Sequence, residues 1–181
     1  MKNLFSVKGK VALVTGGSRG IGEMIAAGYL ANGAKVYISS RKAETCDATA
    51  ERLSKEYEGN CISIPADLSN LDGIAALVSK IKEDEGSLDI LVNNAGASWG
   101  EPIEEYSEKG WDKVMDTNVK GVFFLTQKLL PLLKASGNAE DPARVINIGS
   151  IDGIKTGLFD AFSYGPSKAA LHHLTRVLRS E

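Results

Sequence analysis

VALVTGGSRGIG, residues 11–22, is the stretch on which the reading of the whole chain turns. Four apolar residues, Val11 to Val14, read as a short strand, and glycines follow almost at once at Gly16, Gly17, Gly20 and Gly22. A glycine-rich turn between a strand and a helix lets the backbone come close to a pyrophosphate. The N-terminus of the helix then offers unpaired N–H groups and the positive end of its dipole. The spacing is Gly-x-x-x-Gly-x-Gly and departs from the Gly-x-Gly-x-x-Gly fingerprint, so an ordinary tight turn is the competing reading and the rest of the chain has to decide.

Working outward, apolar and β-branched runs recur at VYI (36–38), CISI (61–64), LDILV (88–92) and RVINI (144–148). Helix-length segments lie between them, clearest where Leu71, Ile74, Val78 and Ile81 mark the apolar stripe of an amphipathic helix. Strands that alternate with helices pair in parallel through right-handed crossovers. The expected fold is therefore α/β: a doubly wound parallel sheet of the Rossmann kind, with helices on both faces in three αβα layers. With 181 residues, 43% of them hydrophobic, the chain is read as one domain spanning 1–181. KASGNAEDPA (134–143) reads as a plain surface connection ended by Pro142.

Composition excludes several classes of function. Charged residues make up 24% and nearly balance to a net charge of -2, so no nucleic-acid footprint or basic face for an anionic membrane stands out. The start, MKNLFSVKGK, is too broken for a signal-peptide core, and GVFFLTQKLLPLL is interrupted by Gln127, Lys128 and Pro131, so no membrane insertion is expected. Cys46 and Cys61 stand in no CxxC or His-Cys cluster; a reduced, cytoplasmic setting and no metal are expected.

After the second strand comes SSRKAE, with Ser40, Arg41 and Lys42 where an acidic residue would hold the ribose hydroxyls of NAD. Arg41, together with Arg19 of the glycine turn, favours a 2′-phosphate and hence NADP(H), against the alternative of a plain surface arginine at a strand end. Three further segments, NNAG (93–96), IGS (148–150) and YGPSK (164–168), fall at strand ends or open a helix, and so converge on the same crevice. Tyr164 and Lys168 are four apart, on one face of a helix. A phenol is a poor acid at neutral pH, and a neighbouring ammonium favours its ionised form. Such a pair can donate a proton while Ser150 hydrogen-bonds the oxygen on which charge builds, the chemistry of carbonyl reduction by hydride and proton. Singly, each of these residues has a bland reading: Asn93 and Asn94 as turn residues, Asn118 as a plain helix residue, the Tyr/Lys pair as a helix surface.

Taken together, TGxxxGxG, NNAG, a serine after the fifth strand and YxxxK occur in the order that identifies the short-chain dehydrogenase/reductase family, which the chain resembles from GKVALVTGG to YGPSKAAL. The resemblance implies Tyr164 as proton donor, Ser150 as the carbonyl-orienting hydroxyl, Lys168 on the nicotinamide ribose and Asn118 as anchor of a water in a proton relay. It implies cofactor contacts from Gly16, Ser18, Arg19, Gly20, Ile21 and Gly22 in the turn, and from Arg41. Asp67 would meet the adenine ring, Asn94, Ala95 and Gly96 would line the adenosine side, and Leu68, Tyr164 and Lys168 would complete the set of cofactor contacts. Within the family, NNAGASWG, GWDKVMDTNV and DPARVINIGS look most like bacterial 3-oxoacyl-acyl-carrier-protein reductases of the rhamnolipid-pathway type. A small-molecule carbonyl or acyl thioester substrate follows, with Trp99, Ile151 and LFDAF (158–162) as apolar pocket walls. His172 and His173 read as packing or surface residues.

Family members continue past the YxxxK helix with two more strands, a substrate-covering segment and a Pro-Gly motif. The chain is therefore expected to lack the strands beyond the fifth, to leave that strand as an edge, and to represent part of a longer parent that forms a homo-oligomer. Val122, Leu129, Leu133, Leu171, Leu174 and Leu178 suit either core or such an interface. Two functions compete: an NADPH-dependent reductase of a 3-oxoacyl thioester or similar ketone, and a catalytically silent chain that binds cofactor or a homologous partner without turnover.

Overall fold

Every expected strand forms. In the computed structural model, which describes residues 5–156 and 160–179, the strands are β1 (Val11–Thr15), β2 (Lys35–Ser39), β3 (Cys61–Ser63), β4 (Ile90–Asn93) and β5 (Arg144–Asn147). They pair in parallel in the order β3-β2-β1-β4-β5. The chain winds outward from β1 in one direction and then restarts at β4 in the other, so the strand order reverses between β1 and β4. That reversal opens a crevice at the C-terminal ends of the strands. The helices between them are α1 (Gly20–Ala31), α2 (Ala43–Glu56), α3 (Leu71–Asp84), α4 (Glu108–Met115), α5 (Gly121–Ser136) and α6 (Tyr164–Leu178).

Alternation along the strands divides the core between the two faces of the sheet. Ala12 and Val14 of β1 join Val36 and Ile38 of β2 against Ala26 and Leu30 of α1 and Cys46, Ala50 and Leu53 of α2. Leu13, between them, faces the other way with its register partners Tyr37 and Leu91, against α3 and α5. Each fully buried Leu or Ile of these layers contributes about 2 kcal/mol. Both cysteines are free and buried.

The apolar stripe of α3 differs from the sequence reading at one place. Ile74, Val78 and Ile81 are buried as expected, but Leu71 is 43% exposed and Leu77 is fully buried. Leu71 is the first helical residue, just past the Asn70 cap whose side chain accepts from the Gly73 amide at 2.8 Å, and so stands at the rim of the layer. Of the positions that suited core or interface, Val122, Leu129, Leu133 and Leu171 are core, and Leu174 and Leu178 are half-buried.

The connection at 134–143 is also more than a plain surface link. Asp89, where β4 approaches β1, accepts from the Val11 amide at 2.8 Å, from Lys10 Nζ at 2.9 Å and from Ser136 Oγ at 2.6 Å, and Lys10 reaches on to Asp141 at 2.7 Å. A carboxylate with only 15% of its side chain exposed needs such partners, and they tie the connection to the N-terminal end of the sheet. At the other side of the sheet β5 pairs with β4 alone among the described residues, and its Val145 and Ile146 stand partly in solvent. No helix among the described residues is long and apolar enough to cross a membrane.

Candidate active site

The glycine turn forms as a cradle. Gly20 has φ +59 and nothing within 4 Å of where a Cβ would stand, so the backbone is left-handed and the space above it is open. A Cβ on Gly22 would overlap the Gly16 carbonyl, so α1 packs against the turn as closely as backbone allows. The cap position of α1 is Arg19, in extended conformation and without a side-chain bond to the helix. The first amides of α1 are thus available to an anion.

Beside this turn lies a cleft of about 300 Å³ lined by Gly16, Ser18, Arg19, Arg41, Asp67, Leu68, Asn94, Ala95 and Gly96, nine of the positions expected from sequence. Gly20, Ile21 and Gly22 do not line it; they shape the turn at its mouth, where Ile21 is 58% exposed. Arg19 and Arg41 are exposed and have no ion-pair partner among the described residues, whereas Arg52 and Arg144 are both paired with carboxylates. Two unpaired guanidiniums at the rim of a concave site suit a phosphate, which accepts their N–H groups in pairs. The open cradle and this cationic rim fit a phosphorylated dinucleotide. Asp67 uses one carboxylate oxygen to hold the Ser69 amide and hydroxyl at 3.0 and 2.8 Å.

Residues of NNAG brace the crevice. Asn94 donates from its side chain to the carbonyls of Thr15 at 2.9 Å and Gly16 at 3.3 Å, and its amide and that of Ala95 both donate to Thr15 Oγ1 at 3.0 Å. Asn93, only 2% exposed, donates to Thr126 Oγ1 and to Asn147 Oδ1, linking β4 to α5 and β5. Thr15, Ser39, Thr45 and Thr117 contribute to this region without having been expected. Thr15 was legible in principle, as the residue that ends the strand and opens the turn; Thr45 carries no local signal because it reaches the cleft only through the first turn of α2.

The expected catalytic residues gather where β4, β5 and α6 meet. Lys168 is 5% exposed and donates from Nζ to the Ile148 carbonyl at 2.8 Å, with Nζ 5.8 Å from the centre of the Tyr164 ring. Burial pushes its ammonium below the ordinary lysine range. A Cβ on Gly96 would lie 3.8 Å from that Nζ and 3.4 Å from Asn118 Oδ1, so the end of the NNAG segment borders both residues. Asn118 is buried in a π-helical turn, Asp116–Lys120, rather than in a plain helix. Its Oδ1 accepts from the Ala97 amide at 2.8 Å, and its Nδ2 donates to the Ala97 carbonyl and to Ser167 Oγ, each at 2.9 Å. Ser150 caps the short 3-10 turn Ile151–Gly153, accepting from the Asp152 amide at 3.2 Å, which leaves its own proton free to donate. That turn packs on α6: a Cβ on Gly165 would stand 3.1 Å from the Asp152 carbonyl.

One expectation about the substrate side changes. Trp99 does not present its indole freely to a substrate, because the ring lies against Gly110 of α4 with Lys113 Nζ 4.5 Å from its centre. Of LFDAF, Leu158 and Phe159 lie outside the described residues, while Phe162 is 38% exposed and stacks edge-on with Tyr106 at 5.6 Å. Ile151 is 61% exposed, and its neighbour Ile154 is 74% exposed. His172 packs against Gly149 and Gly153, and His173 is exposed beside Arg176. Among the described residues no group of His, Cys, Asp and Glu could hold a metal ion.

Comparison with known proteins agrees with this geometry. The family model described as short chain dehydrogenase matches residues 10–181. The chain is 56% identical to the rhamnolipids biosynthesis 3-oxoacyl-[acyl-carrier-protein] reductase of Pseudomonas aeruginosa, over all of this chain and 70% of that protein. It is 36% identical to gluconate 5-dehydrogenase of Gluconobacter oxydans, over 99% of this chain and 68% of the relative. Among solved structures, the Pseudomonas aeruginosa RhlG/NADP active-site complex superposes with a TM-score of 0.93 at 57% identity, covering 98% of this chain and 69% of that one. L-Sorbose reductase from Gluconobacter frateurii, complexed with NADPH and L-sorbose, gives a TM-score of 0.90 at 28% identity, over 97% of this chain and 65% of its own. With the cradle, the cleft and the Tyr164/Lys168 helix in place, the chain belongs to the short-chain dehydrogenase/reductase family.

Proposed function

We propose that this chain is an NADPH-dependent oxidoreductase that reduces a carbonyl to a secondary alcohol, its substrate a 3-oxoacyl thioester or a similar ketone. The observation that carries the reading is the buried Lys168, held by the Ile148 carbonyl on the same face of α6 as Tyr164 and bordering Gly96. Bound NADPH would supply the hydride. Tyr164 donates the proton to the carbonyl oxygen, and Ser150 donates a hydrogen bond to that oxygen as charge builds on it. Lys168 keeps further donors for the nicotinamide ribose and sets positive charge beside the phenol. Asn118 fixes the strand-end backbone at Ala97 and, in the π-turn, anchors the water of a proton relay.

At the other end Arg41 and Arg19 would hold the 2′-phosphate, the glycine turn with Ser18 and Ile21 would receive the pyrophosphate, and Asp67, Leu68, Asn94 and Ala95 would hold the adenosine. The likeness to a 3-oxoacyl-[acyl-carrier-protein] reductase and to a structure holding NADP supports the choice of cofactor and substrate class. Exposed Ile151 and Ile154, in and just after the turn that packs on the start of α6, and Phe162, two residues before Tyr164, supply apolar surface for an acyl chain. The test is Tyr164→Phe assayed with a 3-oxoacyl thioester such as acetoacetyl coenzyme A. Turnover should fall by about 10²–10⁴-fold with NADPH affinity nearly unchanged; a variant that retains turnover refutes Tyr164 as the proton donor.

A further inference from the structure

The hydroxyl of Tyr106 sits at the junction of two segments that no motif connects. Tyr106 lies in the loop between β4 and α4, and Ser163 immediately precedes Tyr164. Their hydroxyls are 2.6 Å apart, the Ser163 amide lies 3.3 Å from the Tyr106 oxygen, and the Trp99 carbonyl lies 3.1 Å from it on the other side. A phenol has one proton. With that proton given to the Trp99 carbonyl, Tyr106 accepts from both the Ser163 hydroxyl and the Ser163 amide, and all three partners are satisfied. Ser163 is fully buried, so neither of its groups has water as an alternative.

The same junction is tied at further points. Phe162 stacks edge-on against the Tyr106 ring, and the Glu101 amide donates to the Asp160 carbonyl at 3.2 Å. The loop end is itself anchored where Glu101 accepts from the Ser107 amide and hydroxyl, both at 2.8 Å. Ser163 in turn begins α6: its carbonyl takes the first helical bond, from the Ser167 amide at 3.0 Å, while the Tyr164 amide reaches back to the Ala161 carbonyl at 3.0 Å. Ser163 has no side-chain bond into the helix and makes its side-chain bond outward, to Tyr106.

We propose that Tyr106 is a positioning residue for Tyr164: its hydroxyl, carried on the loop after β4, fixes Ser163 and with it the first turn of α6. The part of this proposal that concerns turnover rests on the reductase reading; the part that concerns order in α6 does not. Removing the hydroxyl orphans a buried amide and a buried hydroxyl one residue from the phenol. Positioning of reacting groups is sensitive to displacements of about 1 Å, so the cost falls on the chemical step and leaves the distant adenosine cleft alone.

The experiment is Tyr106→Phe, which keeps the ring on Phe162, with Ser163→Ala as a second variant that deletes only the partner hydroxyl. Each is read by amide hydrogen exchange and by steady-state reduction of acetoacetyl coenzyme A with NADPH. In Tyr106→Phe, exchange at residues 163–168 should rise roughly tenfold or more while the strands stay protected. Its kcat should fall by about tenfold or more with KM for NADPH within twofold, and Ser163→Ala should move both readouts in the same direction by less. Unchanged exchange at 163–168, exchange raised evenly through the chain, or wild-type kcat in both variants overturns the proposal. Should the unsubstituted chain reduce no ketone, the exchange result alone decides the role of Tyr106, and the missing turnover counts against the reductase reading.

Discussion

Arg41 shows how much one side chain can decide here. It stands at the mouth of the cleft with no ion-pair partner among the described residues, one residue past Ser40, where an acidic residue would repel a 2′-phosphate and bind ribose hydroxyls. Arg41→Asp should therefore lower NADPH affinity and shift the NADPH-to-NADH preference ratio by about 10–100-fold, since a charge-assisted phosphate contact contributes about 1.5–3 kcal/mol. Competitive titration of the two cofactors checks this, and an unchanged ratio places phosphate recognition elsewhere. Ser150→Ala should lower kcat by about 10²-fold with cofactor binding intact if, as proposed, the hydroxyl acts on the oxygen that gains charge. These residues were legible because each sits in a short motif next to a strand end. Thr45 and Tyr106 were not, because nothing in their neighbourhood in sequence announces that α2 and the loop before α4 fold back toward the crevice.

Among the elements, the strands and the amphipathic helix α3 could be placed from period and composition, with Leu71 and Leu77 exchanging roles because the stripe begins only after the cap turn. Asn70→Ala should cost about 1 kcal/mol, since its side chain satisfies the Gly73 amide at the start of α3. A urea titration measures that loss, and no shift in midpoint would mean that water replaces the cap. The π-turn at Asp116–Lys120 was invisible in sequence, where Asn118 sits in an unbroken helical pattern. Its cause is tertiary: Asn118 must meet the Ala97 backbone and Ser167 at once, a geometry set by three elements together. The connection at 134–143 was misjudged for the same reason, because Asp141 finds Lys10 only after the sheet has formed.

For the whole molecule, the doubly wound parallel sheet followed from alternation and handedness, while its strand order β3-β2-β1-β4-β5 and the ionic cluster that fastens the N-terminal end of the sheet came only from the structure. Burial pushes the Asp89 carboxyl up, but hydrogen bonds from Ser136, the Val11 amide and Lys10 outweigh it and hold it below the usual carboxylate range. Lys10 and Arg144 lower Asp141 likewise. Carboxyls lowered in the folded state contribute stability that is present above their unfolded values near about 4 and is lost as pH falls through the folded ones. Urea midpoints should thus drop between pH 7 and pH 3, and Lys10→Met should narrow that difference by weakening the chain at pH 7; an equal difference in the variant would remove the cluster from the account. The central claim, that the crevice is an NADP(H) site, is met most directly by fluorescence titration of the purified chain with NADPH and, in parallel, with NADH. The account predicts saturable binding that favours NADPH; equal affinity for both, or binding of neither, contradicts it.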